Sequence, residues 1–430
     1  MFERKERIEP FRGLFFNPER CGDLGSIVAP PYDLIDPQRQ TQLYERSPFN
    51  VVRLELGREP DRYSAASLML EQWIRDGILV RPPAPAIHLY TQDFSAEGRN
   101  YTRNGFIVTL RLEEFAPGKI LPHERTFAAA KLDRLQLLDA TRVNLSSIFG
   151  LYPGRDPELE RLKAAAGQRR PDYAVRDDLG IGNELRAIPQ HDAIRTVQNA
   201  LAHVRLLIAD GHHRYETALN YRRSRRAQEH DPAGLKPYDY VMITLTSCED
   251  PGLLILPTHR IVNRIDAAAM GDFHRRAGEF FAIEEFADED RFVARLKEAG
   301  NGVLGVALSG ASKLRILRLK DPSLMAAAAA QMQPEVRRLD VSVLHALVFE
   351  RLLAIDEAAV KSGSLIEYTV DARAALATVS DGRAAGAFLM NPPSIGDVER
   401  VSDSGATMPE KSTYFYPKLL TGLVMNPFYD

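Results

Sequence analysis

The sequence predicts a mixed α/β fold, and two patterns along the chain support this class. Apolar and polar residues alternate in residues 86–94 and 101–115, which predicts two antiparallel strands joined by a polar turn. After residue 263, short buried-type strands alternate with amphipathic helices, an order typical of a mixed sheet covered by helices. With 45% hydrophobic and 26% charged residues, the 430-residue chain has the composition of a globular protein.

The remaining elements follow from hydrophobic spacing and from the glycines and prolines that end each run. Helices are predicted for residues 61–76, 128–141, 191–203, 213–229, 267–279, 291–299 and 341–355. Further strands are predicted for residues 51–56, 147–152, 205–209, 238–246, 253–256, 280–286, 302–309, 313–319, 365–370 and 384–390. Residues 153–190 are polar and punctuated by proline, so only short strands are expected there.

The domain organisation is predicted as two closely packed parts. At roughly 150 residues per domain, a chain of 430 residues suggests about three domains. Strands and helices begin to alternate regularly near residue 265, which predicts a division into 1–265 and 266–430, with a further boundary near residue 118. Chemistry-bearing motifs are spread from residue 29 to residue 418, which favours two parts over three.

Composition and charge exclude several classes of protein. Fifty-five basic and fifty-eight acidic residues leave a net charge of −3, so a strongly basic nucleic-acid-binding protein is not expected. The basic run at residues 221–226 wraps around several faces of a helix, which is typical of a solvated surface. Two cysteines are too few for a disulfide framework, and no apolar run reaches the ~18 residues of a membrane span. With a charged N-terminal segment, these features predict a cytoplasmic protein without membrane contact.

The strongest functional signal is Asp-Gly-His-His-Arg, from Asp210 to Arg214, between a buried strand and a long helix. Gly211 would form the turn, so that free backbone amides and the positive end of the helix dipole face one point, as in phosphate sites. His212, His213 and Arg214 add hydrogen-bond donors, and Asp210 could hold Mg²⁺ or orient a histidine. The structural alternative makes Asp210 a helix cap and the histidines solvated residues of the first turn.

A second segment, residues 121–126, combines acid, imidazole and guanidinium in a loop that leads into a helix. Glu124 is the candidate general base toward a substrate hydroxyl, and Glu216 is the second candidate. The groups that could neutralise phosphate charge are His123, Arg125, Lys131 and Arg134. The structural alternative is a loop held by surface ion pairs, which contribute little to stability.

Two further segments carry groups that can bind phosphate. Thr258, His259 and Arg260 follow a buried strand, where a pocket rim and a structural turn are equally compatible with the sequence. Residues 408–418 combine two lysines, two hydroxyls and three aromatic residues, with no P-loop pattern in the chain. The candidate phosphate ligands in this tail are Lys411, Ser412, Thr413 and Lys418. The structural alternative is an aromatic tail that seals a core.

Zinc and haem are not expected as cofactors. His-His with distant histidines could form a zinc site, but no His-x-x-x-His or His-Glu-x-x-His spacing accompanies residues 212–213. A serine hydrolase is not expected, because the sequence has no Gly-x-Ser-x-Gly motif.

These segments, in this order, resemble the bacterial and archaeal family known as domain of unknown function 1015. The resemblance covers essentially the whole chain, and it includes Pro-Pro-Tyr-Asp at residues 30–33 and Asn-Val-Val-Arg-Leu at residues 50–54. It continues through residues 122–126, 209–218, 257–260 and 408–418. The family resemblance implies no established activity.

Residues 210–214 are also similar to the signature of free-serine kinases in the ParB/sulfiredoxin superfamily. This resemblance implies a ParB/sulfiredoxin-like strand–turn–helix core within residues 1–265, next to an additional mixed-sheet α/β region. It also implies that Asp210, His212, His213 and Arg214 bind the phosphates of a nucleotide or a metal. Sulfiredoxin needs a reactive cysteine in this loop, and the histidine found here argues against sulfiredoxin chemistry.

The leading hypothesis is phosphoryl transfer from a nucleotide such as ADP or ATP, with Mg²⁺, to a small hydroxylated metabolite such as an amino acid. The first alternative is a ParB-like regulatory protein in which the nucleotide changes a conformation or a partner interaction. The second is a phosphate-handling hydrolase or metal-dependent enzyme. The expected partners are a nucleotide and a small molecule; nucleic acid is not expected, and a homodimer stays open.

Overall fold

The computed structural model describes residues 6–116, 119–124, 126, 128–229, 234–361 and 364–429. Helices and a mixed sheet are both present, which confirms the predicted mixed α/β class. The chain forms two compact units: unit 1 comprises Met1–Pro122, Thr126–Leu253 and Pro417–Asp430, and unit 2 comprises His123–Arg125 and Leu254–Tyr416. This division differs from the predicted boundary near residue 265 and places the last residues in unit 1. Independent folding of the two predicted parts, and of a part ending near residue 118, stays a prediction.

Unit 1 is built on a mixed sheet in the order β6-β11-β8-β12-β5-β4-β10-β9, with β1 paired to β5. The strands of unit 1 are β1 (Ile8–Glu9), β2 (Phe15–Phe16), β3 (Leu79–Val80), β4 (Ile87–Ala96), β5 (Arg99–Arg111), β6 (Ile120–Leu121), β7 (Val143–Asn144), β8 (Ile148–Tyr152), β9 (Tyr173–Arg176), β10 (Gly182–Ile188), β11 (Leu206–Asp210) and β12 (Tyr240–Ser247). Outside the large sheet, the short strands β2 and β3 pair with each other, and β7 pairs with Asn426–Pro427. β11 runs parallel to β6 and β12 runs parallel to β8, whereas the other pairs in this sheet are antiparallel.

The helices of unit 1 are α1 (Pro18–Cys21), α2 (Pro37–Arg46), α3 (Val52–Glu55), α4 (Arg62–Arg75), α5 (Ala128–Thr141), α6 (Pro157–Gly167), α7 (His191–Leu201) and α8 (His212–Gln228). α6, α7 and α8 pack on the large sheet through an apolar core that includes Leu159, Val197 and Leu219. A second core joins α3 and α4 to residues 14–29 and contains the chain's single tryptophan, Trp73. Burial of these faces supplies the main stabilising free energy of the unit.

Unit 2 contains a six-stranded antiparallel sheet in the order β15-β17-β16-β19-β14-β18 and a small pair, β13 and β20. Its strands are β13 (Leu254–Leu256), β14 (His259–Val262), β15 (Phe281–Phe286), β16 (Val303–Leu308), β17 (Leu314–Leu319), β18 (Ile366–Thr369), β19 (Gly386–Met390) and β20 (Tyr414–Tyr416). Its helices are α9 (Ala267–Phe280), α10 (Glu289–Ala299), α11 (Ser323–Ala328), α12 (Pro334–Arg337), α13 (Asp340–Val343), α14 (Glu357–Lys361), α15 (Ala372–Ser380) and α16 (Ile395–Asp403), with a π-helix at Leu344–Leu352. One face of the sheet packs against α10 and α15 through a core that includes Phe292 and Leu376.

Three sequence predictions about elements are wrong, for different physical reasons. Residues 51–56 form α3 instead of a strand, because Asn50 Oδ1 accepts the Val52 N–H at 3.0 Å and this apolar run is buried as a helix. Residues 153–190 contain α6, which Asp156 caps by accepting the Glu158 and Leu159 N–H groups ahead of a proline at the first position. The helix predicted at 341–355 is a short α13 followed by the wider π-helix.

Among the described residues, no helix is both long and apolar enough to cross a membrane.

Candidate functional site

The strand–turn–helix predicted around residue 210 is present in unit 1. β11 ends at Asp210, Gly211 has a left-handed φ of 90°, and α8 begins at His212. The pairing of β11 with β8 shifts register between Ile208 and Asp210, which sets the direction of the strand end. A Cβ at residue 211 would lie 2.9 Å from an Arg214 nitrogen, so a larger residue would displace that guanidinium as well as strain the turn.

Asp210 lies in a field of positive charge at the start of α8. Its Oδ2 accepts a hydrogen bond from Lys418 Nζ at 2.9 Å, and its Oδ1 lies 3.9 Å from the Arg214 guanidinium. Burial alone would raise the pKa of Asp210, but Lys418, Arg214 and His212 outweigh that effect and hold the pKa well below its usual range. Asp210 is therefore a stable carboxylate whose charge is already shared with a lysine.

Arg214 is fixed along one edge of its guanidinium. One terminal nitrogen donates to the Ser147 carbonyl at 2.6 Å and to Ser146 Oγ at 3.0 Å. Its buried Nε has no hydrogen-bond partner among the described residues. A small cavity of about 50 Å³ lies beside it, lined also by Glu55, Arg134 and Thr217. A buried donor without a partner is costly, and an acceptor that entered this cavity would satisfy it.

Glu216, further along α8, accepts hydrogen bonds from Thr126, the last residue of the second motif, and from Lys131, which follows that motif. Lys131 Nζ donates to one carboxylate oxygen at 2.6 Å, and Thr126 Oγ1 donates to the other at 2.8 Å. Both partners of the Lys131–Glu216 ion pair are about one quarter exposed. Lys131 thus neutralises Glu216, and either residue must leave this pair before it can act on a ligand.

Arg134 is a buried arginine with its donors committed to protein groups. It donates to Glu55 Oε1 at 3.0 Å and through Nε to Asp133 Oδ2 at 2.8 Å, and its guanidinium stacks 4.3 Å from the Tyr32 ring centroid. This arrangement favours a structural role, because a bound phosphate would have to displace carboxylates in a buried site.

The predicted residues of unit 2 form a second cluster around Thr413. Thr413 Oγ1 lies 2.8 Å from His123 Nε2 and donates to Glu124 Oε1 at 3.3 Å. Since a hydroxyl has one proton, this arrangement makes His123 Nε2 the donor to Thr413. The Met408 N–H donates to the His123 carbonyl at 2.8 Å, and residue 124 bridges residue 408, so the backbone holds the two segments together.

Arg260 is a fully buried cation in the same unit. It donates to the carbonyls of Thr258, Glu410 and Lys411, the last at 2.9 Å, and its Nε has no hydrogen-bond partner within the described part of the chain. Burial lowers the pKa of Arg260 to about 10, although nearby Tyr368 and Glu124 act in the opposite direction. A buried cation held by carbonyl oxygens, without a hydrogen-bonded carboxylate, leaves positive charge for a ligand.

The backbone near Arg260 is strained at Lys411, which has a φ of 55°. A left-handed conformation at a non-glycine residue costs roughly 1–2 kcal/mol, and such strain concentrates at functional sites. Ser412 Oγ donates to the Pro409 carbonyl, and the buried Thr258 hydroxyl has no described hydrogen-bond partner. Thr258 and Ser412 line a cavity of about 70 Å³ in unit 2.

His259 has a structural contact. Its Nδ1 accepts the Met390 N–H at 3.3 Å, and burial, with the positive charge of Arg260, lowers the pKa of His259 to about 4. A neutral imidazole that serves as a backbone acceptor does not supply positive charge to a phosphate. Of the remaining candidates, His212 is buried and His213 is half-buried in the first turn of α8, and Arg125 lies outside the described residues.

Sequence reasoning missed Arg103, a fully buried arginine on β5. It donates to Gln92 Oε1 and to the Pro417 carbonyl, next to Lys418, and it stacks 4.6 Å from the Phe149 ring centroid. Burial lowers the pKa of Arg103 to about 10. Nothing in the alternating pattern of β5 distinguishes this arginine from a solvated one. The serines that hold Arg214 were also missed, although Asn-Leu-Ser-Ser at residues 144–147 marks the start of β8.

A metal site of several protein ligands is not present in the part of the chain that the structure describes. No group of three or more His, Cys, Asp or Glu side chains lies together among those residues. Asp210 fits a Mg²⁺ ion held by one carboxylate together with phosphate oxygens and water, since Mg²⁺ in nucleotide sites commonly keeps such a shell.

Comparison with solved structures gives weak similarity. A free serine kinase in complex with AMP is 8% identical, with 71% of this chain and 91% of that chain covered and a TM-score of 0.34. A conserved hypothetical protein from Pyrococcus furiosus is 11% identical, with 72% and 95% covered and a TM-score of 0.33. SbnI with a C-terminal truncation, from Staphylococcus aureus, is 12% identical, with 71% and 84% covered and a TM-score of 0.33. Similarity of this degree does not identify equivalent residues. No curated protein matches the chain.

One family model matches most of the sequence. It is described as Protein of unknown function (DUF1015), and it matches residues 8–342. The matched span includes the segments at 122–126, 209–218 and 257–260, and it ends before the tail motif at 408–418. The expected family resemblance is therefore confirmed for residues 8–342 and stays a prediction for the rest of the chain. The chain therefore belongs to the DUF1015 family.

Proposed function

We propose that this protein is a nucleotide-dependent phosphotransferase that binds nucleotide phosphate at the start of α8. The observation that carries the proposal is the left-handed Gly211 between Asp210 and α8, with Lys418 and Arg214 beside it. The start of a helix carries backbone N–H groups and a partial positive charge, and both favour an anion. The resemblance of residues 210–214 to the free-serine-kinase signature makes ADP and ATP the first nucleotides to test.

In this proposal Arg214 and Lys418 neutralise charge on the transferred phosphoryl group. Arg214 brings a guanidinium whose orientation Ser146 and Ser147 fix in advance, which lowers the entropy lost on binding. Lys418 can move from Asp210 to a phosphate oxygen, and Asp210 would then be released as a carboxylate able to hold Mg²⁺. Bound Mg²⁺ would supply charge neutralisation at the phosphate oxygens.

For the acceptor step we keep Glu124 as the proposed general base and Glu216 as the second candidate. The Glu124 carboxylate meets a neutral hydroxyl, Thr413, at 3.3 Å, whereas the Glu216 carboxylate is held by Lys131. In the proposed step the acceptor oxygen forms a bond to phosphorus, the bond to the leaving nucleotide oxygen breaks, and the base takes the hydroxyl proton. Glu124 lies 3.8 Å from His123 Nε2 and accepts no hydrogen bond from a lysine or arginine among the described residues, so it can take that proton without first leaving an ion pair like that of Glu216 with Lys131.

The test is a screen of nucleotides against small hydroxylated metabolites, amino acids included, with Mg²⁺ present. Nucleotide consumption and acceptor phosphorylation are measured together, by chromatography and by mass spectrometry. We expect consumption that requires one class of acceptor, and a loss of at least a hundredfold in turnover for Glu124→Gln with nucleotide affinity unchanged.

Two outcomes would contradict the proposal. Nucleotide binding with slow, acceptor-independent turnover would favour the ParB-like regulatory alternative. If the wild-type protein does not bind nucleotide, the proposed phosphate site at the start of α8 is contradicted. A Glu216→Gln variant that loses turnover while Glu124→Gln retains it would move the role of base to Glu216.

A further inference from the structure

The six-stranded sheet of unit 2 has a large cavity on the face that α10 and α15 do not cover. The cavity has a volume of about 530 Å³ and lies against β15, β17 and β16. Short helices α11, α12 and α13 form its other side. Sites for small molecules in proteins commonly have volumes of about 300–1,000 Å³, so the cavity has the size of a ligand site.

The floor of the cavity is apolar and belongs to the rigid sheet. Phe281, Leu304 and Leu317 are almost completely buried, and their strands pair in register, with residue 281 opposite 319 and residue 304 opposite 317. Met325 from α11 and Val343 from α13 add apolar surface. A ligand with a hydrocarbon chain or ring would gain free energy here, because its own apolar surface would leave water inside the cavity.

Positive charge surrounds the apolar floor. Arg318 on β17 and Arg337 and Arg338 at the end of α12 line the cavity, and the buried Nε of Arg337 has no described hydrogen-bond partner. None of the described ion pairs involves any of these three arginines. Asp340 also lines the cavity, and its carboxylate accepts the Gly302 N–H at 2.9 Å.

Asp340 does not cancel this positive charge. Burial raises the pKa of Asp340 to about 7, although the Gly302 N–H and Arg318 act to lower it. The carboxyl is thus partly neutral near neutral pH, and three guanidinium groups face the cavity with at most one partial negative charge among them. An anionic ligand complements this excess of positive charge, and guanidinium binds carboxylate through paired hydrogen bonds.

We propose that this cavity is a second ligand site, for a small organic carboxylate with an apolar tail. The carboxylate contacts the arginines, and the tail covers Leu304 and Leu317. Arg338 and Asp340 also line the smaller cavity that contains Thr258 and Ser412, so a ligand here contacts residues that border that cluster. This site is independent of the proposed phosphate site in unit 1.

The test uses octanoate as the probe, with 1-octanol as an uncharged probe of the same chain length. Binding to the full-length protein is measured by calorimetry, and the unfolding temperature is recorded with and without each probe. We expect octanoate to bind at least tenfold more tightly than 1-octanol. The Arg318→Gln/Arg338→Gln variant removes two exposed charges and should abolish that preference.

The cavity itself is tested with Ala326→Trp, a substitution at an exposed residue of the cavity wall. The indole would fill the cavity, so both probes should lose binding at least tenfold while the unfolding temperature without ligand stays near that of the wild type. Arg383→Gln, at an exposed arginine of the same unit, is the matched control and should bind octanoate as the wild type does. The proposal is overturned if octanoate does not bind at millimolar concentration, or if its binding survives both the double variant and Ala326→Trp.

Discussion

The candidate charged residues of the two units differ in the partners that surround them. In unit 1 two candidate carboxylates have a partner of opposite sign: Asp210 pairs with Lys418, and Glu216 pairs with Lys131. In unit 2 the buried Arg260 is held by backbone carbonyls, and the candidate carboxylate Glu124 accepts a hydrogen bond from the Thr413 hydroxyl. A ligand at the first arrangement would have to replace a protein counter-ion, whereas a ligand at the second would not have to break an ion pair of this kind.

The largest effect on stability should come from breaking the Asp210–Lys418 ion pair of unit 1. Lys418→Met leaves Asp210 without its hydrogen-bonded cation in a site where the carboxylate is only 20% exposed. We expect a loss of about 2–3 kcal/mol in the free energy of unfolding, measured by urea denaturation, because an unpaired charge in a buried site is strongly destabilising.

The control for this variant is Lys313→Met, whose exposed pair with Glu285 should contribute little. The double variant Asp210→Asn/Lys418→Met should recover part of the loss, since neither member of this pair is then left charged without the other. Equal losses in Lys418→Met and Lys313→Met would show that the Asp210 pair is an ordinary surface pair.

A smaller effect is expected from the turn that precedes α8. Gly211→Ala puts a Cβ at a φ of 90° and within 2.9 Å of Arg214, so we expect a loss of about 1–2 kcal/mol in stability. Gly167→Ala at the end of α6, where a Cβ would meet nothing within 4 Å, is the matched control and should not destabilise the protein. A stable Gly211→Ala protein would mean that the turn relaxes without strain.

The smallest expected effect is a pH dependence of stability that arises from His259 in unit 2. The pKa of His259 is about 4 in the folded protein and about 6.5 in the unfolded chain, so the unfolded state takes up a proton first as the pH falls. The stability from His259 is complete above pH ~6.5 and is lost progressively toward pH 4. Between pH 6.5 and 5.5 the loss should be about 1 kcal/mol.

His259→Gln keeps an acceptor for the Met390 N–H and removes this titration. Urea denaturation at pH 6.5 and 5.5 should therefore show a pH dependence that is smaller by about 1 kcal/mol in the variant. An unchanged pH dependence would mean that His259 is protonated in the folded protein at pH 5.5.

The sequence predicted regular elements and local motifs well, and long-range pairing poorly. The strand–turn–helix at 206–228 and the helix at 128–141 were predicted because cap residues and periodicity act locally. The strand predicted at 51–56 was wrong because a short, largely buried apolar run lacks the periodicity that separates strands from helices. Partners such as Glu55 for Arg134, or Pro417 for Arg103, are distant in sequence, and no spacing rule predicts them. The roles of the predicted site residues stay predictions.

The central claim, a phosphate site at the start of α8, is tested most directly by nucleotide titration of three proteins. Isothermal calorimetry with ADP and ATP, each with Mg²⁺, compares the wild type with Arg214→Gln and with Arg223→Gln, an exposed arginine on the same helix. We expect Arg214→Gln to bind at least tenfold more weakly, a difference of about 1.4 kcal/mol, and Arg223→Gln to match the wild type. Equal affinity in all three proteins, with Arg214→Gln folded as judged by its unfolding transition, would contradict the claim.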